Sequence, residues 1–153
     1  MAEAFLKLAA ADRLDVLGIA ADRLGRPSHL LEKDVWVVWA LQVLWEAAVK
    51  DDLVFKCGTS LSKAYGVIDR FSEDVDLTYD IRALVPDLVE AQGDAIPATT
   101  SEERRWSRRV REVLPLWVAH SVQPIIMKAI ALQGLQATVR HDGDKLFIDY
   151  PPV

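Results

Sequence analysis

Residues 53–79 read LVFKCGTSLSKAYGVIDRFSEDVDLTY, and the order of residue types along this stretch decides the fold. Leu53-Val54-Phe55 is a short apolar run between Asp51-Asp52 and Gly58, the pattern of a buried strand. A Gly58-Thr59 turn opens a short helix over Thr59–Tyr65, closed by Gly66. From Asp74 to Tyr79 polar and apolar residues alternate, which predicts a half-buried strand. On a strand, residues i and i+2 share a face. Asp74 and Asp76 therefore project together, with Val75 and Leu77 packed behind them. Two carboxylates so spaced can hold divalent cations, and such ions can grip a nucleotide's phosphates and activate a hydroxyl for in-line displacement. Backbone N–H groups of the Gly58-Thr59 turn suit phosphate oxygens. Ser60 and Lys63, within one turn, add a hydroxyl and a positive charge.

Each piece alone is weak. A lone D-x-D is more often a pair of surface acids at a strand end. Gly-Thr at a helix start is usually plain capping, and an isolated lysine is usually solvated. The joint order of strand, glycine turn, helix and acid-bearing strand is specific. No Gly-Lys-Ser/Thr follows the turn, so it is not a Walker A loop. Asp74 to Thr78 also fits the D-x-D-x-T start of dehalogenase-type phosphatases. That reading is rejected, because Arg70-Phe71-Ser72-Glu73 is too polar for the buried strand such a nucleophile ends.

Working outward, Ala4–Leu24 predicts one helix or two short ones, ended by Gly25 and Pro27. Ser28 offers an N-cap to a helix reaching about Lys50, and its Trp36, Trp39 and Trp45 leave almost no polar face. Ile81–Ala91 is expected to be partly helical, with Pro86 near a helix start. After a loop over Gly93–Thr100, Ser101 is expected to cap a charged helix to about His120, kinked at Pro115. A short helix carrying Lys128 follows Pro124. Ala137–Arg140 and Lys145–Tyr150 flank His141-Asp142-Gly143-Asp144, a hairpin signal.

A chain of 153 residues suits one domain, and 51% apolar with 27% charged residues is a soluble globular profile. The net charge of −5 argues against nonspecific coating of nucleic acid but leaves room for a local basic patch. One such patch is Arg104, Arg108 and Arg111, which share a helical face; a solvated helix balanced by Glu102, Glu103 and Glu112 is the rival reading. Trp106 on the same helix either stacks on a base or packs in the core. Cys57 is the single cysteine, so no intrachain disulfide forms and a reducing compartment is expected. The start of the chain carries Glu3 and Lys7 and lacks a secretory pattern. The most apolar run, Val35–Trp45, falls well short of the roughly 20 residues of a membrane span. A cytoplasmic protein without a membrane partner is expected. His29, His120 and His141 share no metal-ligand spacing.

Leu53–Tyr65 followed by Arg70–Leu77 resembles the AbiEii/AbiGii nucleotidyltransferase toxin family, and Leu31-Glu32-Lys33-Asp34 resembles that family's N-terminal helix. The resemblance implies an α/β (α+β) fold of the DNA-polymerase-β-like nucleotidyltransferase type over residues 1–153. Its small mixed sheet would be flanked by helices, behind an N-terminal helical segment. It also implies a toxin of a toxin–antitoxin or abortive-infection pair, with an NTP substrate, two Mg²⁺ ions, an RNA acceptor (tRNA in some members) and a cognate antitoxin. By that match Asp74 and Asp76 are catalytic metal ligands and Lys63 is a catalytic cation. Lys56, Gly58, Thr59, Ser60 and Ser72 bind the nucleotide. Cys57 stands where the family has the first of two glycines, a change the site is expected to tolerate. The match covers about the N-terminal half of a family member. The family's third carboxylate follows a tyrosine–proline segment like Tyr150-Pro151, so two acids are expected here and a C-terminal lobe is not. Asp149 precedes that segment and shares a face with Phe147, which disfavours it as a stand-in. The alternative is a catalytically inactive, truncated fragment that binds nucleotide or antitoxin.

Overall fold

Glycine sets one joint of the helical half. In the computed structural model, which describes residues 2–55, 76–89 and 94–153, the N-terminal segment forms α1 (Ala2–Leu6) and α2 (Ala10–Leu24). Helix α2 stops because Gly25 takes the left-handed conformation, φ 62°, and sends its N–H back to the Ala21 carbonyl. Helix α3 (Ser28–Trp45) begins one residue earlier than expected. Pro27 occupies its N-cap without a side-chain cap, and Ser28 is the first helical residue. It also ends earlier, giving way to a 3-10 turn over Ala48–Asp52 that leads into β1 (Leu53–Phe55).

Beyond the Gly58–Val75 segment the chain continues as β2 (Leu77–Tyr79) and α4 (Ile81–Leu84). Asp80 starts α4 by accepting the Arg82 N–H at 2.9 Å. Pro86 lies in the turn after α4 and not at a helix start. Helix α5 (Thr100–Trp117) is capped by Thr99 and not by Ser101. The Thr99 hydroxyl accepts the Glu102 N–H at 3.2 Å, while the Glu102 carboxylate reaches back to the Ala98 N–H at 2.9 Å.

The expected end near His120 does not occur. Helix α5 passes through Pro115 and continues by a π turn, Val118–Val122, into α6 (Gln123–Gln133). Pro115 removes one N–H from the ladder. The π turn follows, with the Gln123 N–H reaching the Val118 carbonyl five residues back. One rod of 34 residues results, so Lys128 lies on its second half and not on a separate helix. By length and composition alone this rod is long and apolar enough to cross a membrane, which the 11-residue Val35–Trp45 run is not. Its apolar residues are divided between two cores. Trp106 and Val110 join Leu84, Val85 and Val89, whereas Val122, Ile126 and Ile130 join Trp36, Trp39, Leu44 and Leu53. Trp117 packs against both.

The chain then forms a hairpin of β3 (Thr138–Asp142) and β4 (Lys145–Asp149). Asp142 pairs with Lys145, leaving the two-residue turn Gly143-Asp144, with Gly143 at φ 60°. The architecture is α+β. Among the described residues its strands make two separate antiparallel pairs, β1-β2 and β3-β4, in place of one small mixed sheet. A helix rather than a further strand engages β3. The Gln123 side chain at the start of α6 donates to the Val139 carbonyl at 3.3 Å and meets the His141 ring nitrogen Nδ1 at 2.9 Å.

Candidate metal and nucleotide site

The β1-β2 pair positions the site. Leu53 opposes Tyr79 and Phe55 opposes Leu77. Residues 56–75 therefore leave and re-enter at one end of the ladder, where Asp76 is the last residue before β2. The ladder is held on several sides. Leu53 is buried in the first core and Leu77 packs against it, while Tyr79 packs against the second core. At the far end the Asp80 N–H donates to the Asp52 carbonyl at 2.7 Å. Asp76 is exposed.

Asp76 is the one sequence-derived site residue among the described residues. Asp74, Lys63, Lys56, Gly58, Thr59, Ser60 and Ser72 lie outside them, as does the Thr59–Tyr65 helix. Among the described residues no group of three or more His, Cys, Asp or Glu side chains is placed to hold a metal ion. Asp149 does not enter such a group, since its carboxylate accepts from Arg140 Nε at 2.8 Å on the hairpin surface. Arg140 also lies over the Phe147 ring at 4.0 Å. The Tyr79 hydroxyl is pushed above its ordinary pKa, mainly by burial and secondarily by the negative charge of Asp144.

A second polar cluster was not legible as such from residue types. Glu32 is 1% exposed. Its Oε1 lies 3.8 Å from an Arg13 nitrogen and its Oε2 accepts the Val153 N–H at 3.3 Å. Beside it Tyr150 stacks on Trp36, with ring centroids 4.8 Å apart. Burial, and then the Glu32 charge, pushes the Tyr150 hydroxyl above its ordinary pKa. Glu32, Trp36 and Trp39 stand at i, i+4 and i+7, so they share a helix face. That spacing was the available signal that this acid points inward with the tryptophans. The cluster ties the tyrosine–proline segment to α3.

The model of a family described as nucleotidyl transferase AbiEii toxin, type IV TA system, matches residues 39–153. That range runs from the middle of α3 through both ladders and both cores. No curated protein matches the chain, and no solved structure does.

Proposed function

The chain belongs to the AbiEii family of nucleotidyl transferase toxins of type IV toxin–antitoxin systems, and from that premise we propose that it transfers a nucleoside monophosphate from an NTP to an RNA acceptor at the Asp76 end of the β1-β2 ladder. In this reading residues 1–153 hold the nucleotidyltransferase domain. Asp74 and Asp76 would hold Mg²⁺, which would supply charge neutralisation for the triphosphate and polarisation of the acceptor hydroxyl. The Gly58, Thr59 and Ser60 turn and Ser72 receive phosphate oxygens. Lys56 and Lys63 oppose the charge that develops on them. The acceptor oxygen forms a bond to the α-phosphorus as the bond from that phosphorus to the β-bridging oxygen breaks. Pyrophosphate leaves, and the hydroxyl proton passes to a carboxylate or to water. A cognate antitoxin would restrain the activity, and the whole reaction fits a cytoplasmic setting.

The observation that carries the proposal is the register of β1-β2. It sets Phe55 opposite Leu77 at one end of a ladder anchored in both cores, with Asp76 next to that end, which supports a site there. The test uses each NTP labelled in turn at the α- and γ-phosphate, incubated with the protein, Mg²⁺ and total RNA. Retention of α-label but not γ-label on RNA is the expected result. Retention of γ-label would make the protein a kinase, and label bound to protein without transfer is what the inactive nucleotide-binding alternative predicts.

A further inference from the structure

Five arginines lie on α5, and the fold treats them in two ways. Arg105 pairs with Glu102 at 3.6 Å, and Arg109 pairs with Glu112 at 3.5 Å and Asp87 at 4.0 Å. Arg104, Arg108 and Arg111 are exposed, and no acidic side chain among the described residues pairs with them. At 100° per residue these three fall within an arc of about 60°. Trp106 and Val110, which enter the second core, lie on the opposite side of the helix. The three charges thus stand outermost. Arg104 and Arg108 are four residues apart and Arg108 and Arg111 three, spacings at which like charges oppose helix formation. Glu102, Glu112 and Asp87 are engaged with Arg105 and Arg109, which leaves the repulsion along this face in place.

We infer that the Arg104, Arg108 and Arg111 face of α5 binds the phosphate backbone of the RNA acceptor. The inference rests on the proposal that the acceptor is RNA, and it adds a surface away from the Asp76 site. Charge complementarity selects the occupant. In a chain of net charge −5 this row is a local concentration of unpaired positive charge. It extends about 10 Å along the axis, about three phosphate repeats of a strand. All three residues are arginine, whose planar fork matches a phosphate in two parallel hydrogen bonds. Helix α5 is joined to the site ladder through the second core, where Tyr79 of β2 packs with Trp106 and Val110. Acceptor held on this face is therefore fixed relative to the strand that begins after Asp76.

The experiment measures anisotropy of fluorescein-labelled bulk tRNA with the full chain, without NTP or metal, from about 50 to 200 mM salt. R104Q/R108Q/R111Q is expected to weaken binding at least about tenfold at the lowest salt and to flatten the log–log salt slope by about 2. R105Q/R109Q is expected to stay within about twofold, since exposed ion pairs contribute little. R104K/R108K/R111K, which keeps the charge, should retain the slope while binding more weakly. Full-strength binding by the triple glutamine variant overturns the inference, and so does a slope unchanged by it. An equal loss in R105Q/R109Q, or no tRNA binding by the wild type, also overturns it. Displacement of tRNA by polyglutamate at equal charge concentration would assign the face to an acidic protein instead. Asp76→Asn should bind tRNA normally. Absence of label transfer by the wild type, with intact stripe-dependent binding, would sink the proposed reaction and leave this surface standing.

Discussion

Glu32 shows how one residue joins distant parts of the chain. Its carboxylate is buried between Arg13 of α2 and the Val153 N–H, and a buried acid is tolerated only when charged and polar groups face it. Glu32→Ala leaves the Arg13 guanidinium, itself mostly buried, without its ionic partner. A loss of about 3–5 kcal/mol is expected, read as a lower urea midpoint. Glu32→Gln keeps an acceptor for the Val153 N–H and should lose less. Tyr150 gives the matching pH prediction. Its folded pKa lies above the unfolded value of 10.0, so the folded state holds the phenolic proton more tightly. Its contribution is complete below pH 10 and is lost as pH rises through the raised value. Urea midpoints should therefore fall as pH climbs past 10, and Tyr150→Phe should narrow that fall. An equal fall in the variant would contradict the assignment.

At the scale of elements, the hairpin and the long rod behaved differently as sequence. His141-Asp142-Gly143-Asp144 marked a turn because Gly143 supplies a positive φ, and the structure places the turn there. Nothing lies within 4 Å of where a Gly143 Cβ would sit, so Gly143→Ala tests backbone strain alone. It should cost about 1–2 kcal/mol, measured by thermal or urea unfolding. The rod was not legible as one helix, because Pro115 read as a kink and Pro124 as the start of a separate helix. Pro124 is tolerated in the first turn of α6, and the helix continues past Pro115 through the π turn. Core packing on both sides of Pro115 outweighs one missing hydrogen bond. Local propensity does not reveal that balance. The separate β1-β2 and β3-β4 ladders were hidden for a related reason. Alternation identifies a strand but not its neighbour, and the side chain of Gln123 engages β3 from α6.

At the scale of the molecule, the rod carries two cores and Trp117 touches both. Trp39 anchors the larger one, at 1% exposed and with Nε1 donating to Gln133 at 2.8 Å. Trp39→Ala is expected to lose about 3–5 kcal/mol and to loosen the seat of Leu53, which begins the site ladder. Circular dichroism melts with and without the variant check this. The strand at Leu77–Tyr79 and the family were legible in residues 53–79 because alternation and turn chemistry are local, although the described strand begins after Asp76. The ladder's anchoring in both cores was not, since it depends on tertiary contacts of Leu53, Leu77 and Tyr79.

Transfer of α-labelled nucleotide to RNA in Mg²⁺, compared between the wild type and Asp76→Asn, tests the central claim most directly. The Asp76→Asn chain, confirmed folded by circular dichroism, should lose at least about 100-fold in transfer rate while its affinity for RNA is unchanged. Wild-type transfer that survives in Asp76→Asn, or no transfer by the wild type with any NTP, would contradict it.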